Sequence, residues 1–310
     1  MKPYVICHMI ASLDGGLHPS RFTVSPDGVR ADWSRIYERV HQALEGDAWI
    51  VGRVTMAEMS KAAPHPPAQP GSVDRPHHFA RRGAGSYAVV VDPSGRLHFA
   101  GPDVGGDHVV VLLGRDAPDS HLAELAADGV SYIVAETAEL DLAAMLDALG
   151  RELGVRRLLL EGGATINGSF FAAGLVDELS LLVAPALDGR ARAQSFVEFG
   201  ESGLANHVQL SLTSCEALEH GLVHLRYAVR AGWETAAIEA NGFACRRVTA
   251  RQTWTPRAGA KPKDLCWIEA MKGCGLRRNP PPRTLSRKAE WKASLFTTQR
   301  GSSSAWARKN

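Results

Sequence analysis

Through residues 1–230, short apolar runs of four to nine residues alternate with segments whose apolar side chains return every three or four positions. A run of that length, rich in Val, Ile and Leu and closed by glycine or proline, reads as a buried strand. The intervening period is that of a helix with one apolar face. Tyr4–Ser12, Ala48–Val51, Tyr87–Val91, Val109–Leu113, Val130–Val134, Arg157–Leu160 and Glu178–Val183 are the expected strands. Trp33, Ile36, Tyr37, Val40 and Leu44 share one face of an expected helix over Asp32–Leu44, and residues 53–62 suit a short one. His121–Ala127, Leu140–Leu149 and the segment from Gly163 to about Ala173 are the remaining helices. Strands alternating with helices imply an α/β fold, a mostly parallel sheet with helices on both faces. Gln209–Ala217 and Leu222–Val229, joined across Glu219-His220-Gly221, add a C-terminal antiparallel hairpin at its edge. Pro64–Pro76, with five prolines in thirteen positions, reads as a surface loop.

The pattern stops after Arg230, and the charge changes sign there. Residues 1–230 carry 19 basic and 28 acidic side chains, a balance of −9, whereas residues 231–310 carry 16 and 5, a balance of +11. The second part also holds five of the seven tryptophans, and its Asn279-Pro280-Pro281-Pro282-Arg283 fits neither helix nor central strand. The expected organisation is a domain over 1–230 followed by a basic, irregular or disordered C-terminal extension over 231–310. An acidic domain is a poor partner for nucleic acid. The extension, with Trp233, Trp254, Trp267, Trp291 and Trp306, is the one place where backbone contacts and base stacking are open, against a plainer reading as solvated chain.

No apolar run approaches the ~20 residues of a membrane-spanning helix. The start, Met1 to His8, reads as a core strand rather than a signal peptide. The five cysteines include no C-x-x-C pair, so neither a disulfide framework nor a zinc ribbon is expected, and a reducing cytoplasm fits. Adjacent His77 and His78 in a loop would point apart, and no metal site is expected.

Three strand ends carry chemistry. Glu161-Gly162-Gly163-Ala164-Thr165 joins a strand to a helix, where glycine lets the backbone approach a ligand and the helix start offers unpaired N–H groups to a diphosphate. Gly52-Arg53-Val54-Thr55 has the same form, with the Arg53 guanidinium and the Thr55 hydroxyl as added donors. Each alone is equally an ordinary turn. Together they suggest a dinucleotide lying across the carboxyl ends of the strands. The third, Ser12-Leu13-Asp14-Gly15-Gly16, places a hydroxyl and a carboxylate at the same edge, or makes a local Asp-Gly turn.

In order and spacing, Ser12-Leu13-Asp14-Gly15, Asp47-Ala48-Trp49-Ile50-Val51-Gly52-Arg53-Val54-Thr55, Glu161-Gly162-Gly163-Ala164 and Leu175-Val176-Asp177-Glu178 with Pro185 and Gly189 form one set. Over about residues 3–230 it resembles the reductase domain of the bifunctional riboflavin-biosynthesis deaminase–reductase, a member of the dihydrofolate-reductase-like three-layer fold. The resemblance implies hydride transfer from NADPH to a small heterocycle, of pyrimidine or pterin type, with the cofactor on Gly52–Thr55 and on Gly163, Ala164, Thr165, Ile166 and Asn167. It places Ser94 and Arg96 beside the adenosine 2′-phosphate, turns Glu161 toward the substrate, and implies a homodimer whose sheet edge at the hairpin is covered by a second subunit. The chain departs from the riboflavin-pathway members at Met59, where they carry an acidic residue four positions after the threonine, with Glu58 beside it. The zinc deaminase signature H-x-E with P-C-x-x-C is absent from the 310 residues.

Asp14, Asp32, Glu58 and Glu161 are the carboxylates expected nearest the cleft. Asp14 and Glu161 are the catalytic candidates, Glu161 first, and Ser12, Asp32 and Glu58 the substrate contacts, although Asp32 equally suits a helix N-cap and the proton equally suits water as its source.

Overall fold

A computed structural model of the chain describes residues 1–67, 73–201 and 203–232, so the expectation of a basic extension falls, beyond its first two residues, outside the described residues. In chain order the elements are β1 (Tyr4–Ser12), α1 (Arg30–Ala43), β2 (Ala48–Gly52), α2 (Arg53–Ser60), β3 (His77–His78) and β4 (Tyr87–Val91). β5 (Asp103–Val104), β6 (Asp107–Leu113), α3 (Asp119–Ala127), β7 (Ser131–Val134), α4 (Leu142–Glu152) and β8 (Arg157–Leu160) follow. α5 (Ala164–Ala172), β9 (Glu178–Ala184), β10 (Val208–Ala217) and β11 (Val223–Ala231) complete the described chain.

All the described strands form one sheet in the order β10-β11-β9-β1-β8-β2-β4-β6-β7-β3, with β5 paired to β6. From β9 to β7 every neighbouring pair is parallel. The β10–β11 hairpin joins antiparallel to β9, which makes it the edge expected from the sequence. The short strands β3 and β5 were not expected. His77 and His78 pair with Ile133 and Tyr132, so they lie in a strand and not in a loop.

Alternation along each strand divides the core between two faces. Val5, Cys7 and Met9 of β1, Ile50 of β2, Val89 of β4 and Leu112 of β6 pack with Met145 and Leu149 of α4 and with Ile166 and Phe170 of α5. The residues between them, such as Ile6, Trp49, Val51, Val90 and Val111, pack with Met56 of α2 and with Leu122 and Leu125 of α3. On the same side, Trp33 and Ile36 of α1 cover Leu182 and Ala184 of β9. The result is the three-layer arrangement expected, and it leaves the carboxyl ends of β2, β4 and β8 together at one rim, where α2 and α5 begin.

Candidate active site

Parallel pairing of β2 with β8 sets Ile50 beside Leu160 and brings both glycine corners to one edge. There the Gly52 amide donates to the Gly162 carbonyl at 3.1 Å. Gly162 and Gly163 have φ of +143° and +86°, conformations that only glycine adopts freely, and they turn the chain sharply into α5. Gly52 is the N-cap of α2 and Gly163 that of α5. Two helix starts therefore open on the same space, each with first-turn N–H groups that its own helix leaves unpaired.

That space is a cleft of about 770 Å³. The expected residues Gly52, Arg53, Thr55, Glu58, Glu161, Gly162, Gly163, Ala164, Thr165 and Ile166 all line it. Arg53 stands at the mouth, its Nε 3.9 Å from Asp92 Oδ1. Of the neighbours at the departure from the riboflavin-pathway pattern, Glu58 lines the cleft whereas Met59 is exposed on α2 outside its lining.

The other expected residues do not line it, and four of them are held elsewhere. The Asp14 carboxylate accepts the amides of Asp188 at 3.0 Å and Gly189 at 2.7 Å, together with the Ser12 hydroxyl. These donors lower the Asp14 pKa to about 2, the hydroxyl foremost, so Asp14 is an acceptor that ties two loops and is unsuited to donate a proton near neutrality. Ser12 is buried and its Oγ also accepts the Gly16 amide within the turn. Asp32 is the third residue of α1, where it accepts the Val29 amide at 3.0 Å and meets Arg35, so it caps the helix from inside instead of as N-cap or substrate contact. Asn167 is buried, and its amide donates to the Phe196 carbonyl at 2.7 Å, anchoring α5 to the chain that follows β9 rather than reaching a phosphate.

Ser94 and Arg96 are exposed on the loop after β4, whose Pro93 does line the cleft. The buried Asp92 shapes that loop, its Oδ2 accepting the amides of Arg96 at 2.6 Å and Leu97 at 2.8 Å.

Glu161 borders the cleft, and its carboxylate is engaged from below. It shares the sheet face of Leu159, and Oε1 meets His41 Nδ1 of α1 at 2.8 Å. That contact raises the His41 pKa, against an opposing push from burial. The Tyr37 phenol, buried next to the same carboxylate, is pushed well above its usual range, by burial first. Behind it His8 stacks on Tyr37 with ring centroids 4.3 Å apart, and a buried chain runs from His8 Nδ1 through Ser180 Oγ at 3.0 Å to His224 Nε2 at 2.8 Å. Burial lowers the His8 pKa to about 4.

Sequence reasoning missed His41, Asp92 and the opposite wall. That wall holds Leu17 and His18, which meet Gln194 from a loop some 175 positions away, the Leu17 amide donating to the Gln194 carbonyl at 2.9 Å and His18 Nε2 lying 3.1 Å from Gln194 Oε1. No local pattern announces such a contact. His41 had a signal, since it lies four residues after Tyr37 and therefore on the same side of the helix.

The residues present fit a nicotinamide dinucleotide. Two glycine corners free of side chains, two sets of unpaired helix-start amides and one guanidinium face a cleft large enough for it.

The model of the RibD C-terminal domain family matches residues 3–224. The 2,5-diamino-6-ribosylamino-4(3H)-pyrimidinone 5′-phosphate reductase of Methanothermobacter thermautotrophicus is 31% identical over 236 residues, covering 74% of this chain and 100% of that protein. The protein of the same name from Archaeoglobus fulgidus is 28% identical, over 66% of this chain and 90% of its own. In structure, the chain is similar to a pyrimidine reductase-like protein from Corynebacterium diphtheriae, with a TM-score of 0.53 and 22% identity over 73% of this chain and 92% of that one. Acinetobacter baumannii RibD has the same fold, with a TM-score of 0.50 and 23% identity over 74% of this chain and 58% of that one. The glycine corners, the cleft between them and the matched length agree, and the chain belongs to the RibD C-terminal domain family, that of the riboflavin-biosynthesis reductases, which use a nicotinamide cofactor.

Proposed function

We propose that the protein is an NADPH-dependent reductase of a ribosylamino-pyrimidinone 5′-phosphate, the substrate class in the names of its relatives. The observation that carries this reading is the shared rim at Gly52 and Gly162, which points two helix starts into one cleft. Bound there, the cofactor supplies a hydride from its nicotinamide ring. The amides at Arg53–Thr55 and Ala164–Ile166 hold its diphosphate, and Arg53 adds charge to that grip. Ser94 and Arg96, on a loop fixed by Asp92, face the ribose 2′-phosphate and select NADPH over NADH.

On the substrate side, Glu161 accepts hydrogen bonds from the heterocycle, and Glu58, His18 and Gln194 are the further polar contacts. His41 is a positioning residue: it fixes the Glu161 carboxylate and holds a proton next to it. Most of the acceleration comes from placing donor and acceptor carbons in contact. Asp14 shapes the mouth by tethering the loop at 188–189.

Among the described residues β10 is an edge strand with Leu210 and Leu212 about half exposed, and we assign it to the interface of a homodimer. Light scattering is expected to give twice the chain mass, and a monomer mass would remove that assignment. Among the described residues no helix is long and apolar enough to cross a membrane. Supplying the pyrimidinone phosphate with NADPH and following loss of reduced-nicotinamide absorbance tests the function. Turnover with NADPH at least about tenfold more efficient than with NADH is expected. No consumption with either cofactor would overturn the reading.

A further inference from the structure

Away from the cleft, His121 and Glu124 lie one helical turn apart on α3, and His98 reaches them from the loop after β4. One ligand atom from each, an imidazole nitrogen or a carboxylate oxygen, lies within 4.8 Å of the other two. His98 Nδ1 is 2.6 Å from Glu124 Oε1, and the same oxygen accepts the backbone amide of His65 at 3.2 Å. Glu124 and His121 are buried, 3% and 6% exposed.

A hydrogen-bonded His98–Glu124 pair accounts for two of the three side chains. It leaves His121 Nε2 unexplained, because that nitrogen is buried and has no hydrogen-bond partner among the described residues. A buried polar atom left so is costly unless something else satisfies it. The loop is also shaped around this ring. Gly95 has φ of +58°, and a Cβ there would stand 2.8 Å from His121 Cδ2.

We propose that His98, His121 and Glu124 form a binding site for a divalent transition-metal ion of the zinc class, held by two imidazole nitrogens and one carboxylate oxygen. Two nitrogens and one oxygen are a donor set for zinc rather than for calcium or magnesium. Bonds of about 2.0–2.2 Å in a tetrahedron put ligand atoms about 3.4 Å apart. The cluster reaches that spacing by drawing in by about an ångström while the His98–Glu124 contact opens, the neutral imidazole carrying its proton on the nitrogen that does not bind the ion. Water takes the fourth position. None of the three residues lines the cleft, so the ion is structural: it ties the loop of Ser94 and Arg96 to α3.

The test is calorimetric titration of the full-length, chelator-treated protein with Zn²⁺, and of the same protein with Co²⁺ by visible absorption. One saturable equivalent is expected, with an intense tetrahedral Co²⁺ spectrum, and His121→Asn and Glu124→Gln are expected to weaken Zn²⁺ binding about tenfold or more. The partly exposed His98 gives the mildest variant, His98→Gln, which must show the same weakening if the buried variants fail to fold by circular dichroism. Absence of a saturable equivalent, or unchanged Zn²⁺ affinity in His98→Gln, would overturn the site. Neither outcome bears on the reductase reading, because the titration uses no nucleotide.

Discussion

The amide of Gly52 and the carbonyl of Gly162 are joined across 3.1 Å, so the corners that end β2 and β8 form one continuous rim. Residues 110 positions apart thereby place α2 and α5 as two walls of the same cleft, each offering its positive end. The two glycines serve different ends. Gly52 has φ of −80°, and a Cβ there would meet Gly162 O and Ile166 Cγ2 at an ordinary 3.7 Å. Gly162 sits at φ +143°, which side chains rarely adopt. Gly52→Ala is therefore expected to fold with nearly unchanged stability, whereas Gly162→Ala loses about 1–3 kcal/mol and weakens nucleotide binding. Urea unfolding of the two variants beside the parent checks the contrast.

Cofactor choice separates Arg53 from Arg96. Arg53 lines the cleft at the helix start proposed to hold the diphosphate common to both nucleotides, so Arg53→Ala is expected to raise KM for NADPH and NADH alike, by about tenfold. Arg96→Ala raises it for NADPH alone. Steady-state kinetics with both cofactors decides, and a parallel loss for Arg96→Ala would mean that its loop does not read the 2′-phosphate.

On α2 the prediction concerns neighbours. Glu58→Gln raises the substrate KM while cofactor KM holds, because Glu58 lines the cleft, and Met59→Leu changes neither. Kinetics on the two variants, each parameter measured with the other ligand saturating, checks this.

The His41–Glu161 pair makes stability depend on pH. Glu161 raises the His41 pKa in the fold, so its contribution is full below the unfolded value near 6.5 and is lost as pH climbs through the raised folded value. His41→Gln should thus cost more stability at pH 6 than at pH 9. It should also alter the alkaline limb of the kcat profile, a change that mere loss of packing would not produce. Unfolding midpoints and pH–rate profiles give both readouts.

His8 acts with the opposite sign. Its pKa is lowered to about 4 by burial, so the neutral form stabilises the fold above 6.5 and that contribution is lost as pH falls from 6.5 toward 4. The loss from this group is on the order of 3 kcal/mol at most. His8→Gln, compared with the parent by urea unfolding at pH 7 and pH 4.5, should flatten that decline.

The sheet was legible because its strands are buried on both faces and therefore read as unbroken runs of Val, Leu and Ile, as in Val109–Leu113. The two-residue strands β3 and β5 were not, being shorter than any period. Of the site, the corner at Gly162 and Gly163 was legible because backbone geometry demands glycine there, and that at Gly52 because a glycine closes an apolar strand run. Asp14, Asp32 and Asn167 misled because a carboxylate or amide near a turn has two uses. Only the tertiary fold shows whether loop amides, a helix end or the Phe196 carbonyl has already claimed it. Gln194 and His41 were invisible or overlooked because their partners lie far along the chain.

The most direct measurement is a crystal structure of the NADPH complex. The diphosphate should lie within hydrogen-bonding distance of amides at both Arg53–Thr55 and Ala164–Ile166, with the nicotinamide ring toward Glu161. A diphosphate held by one helix start alone, or outside the Gly52–Gly162 rim, would contradict the account.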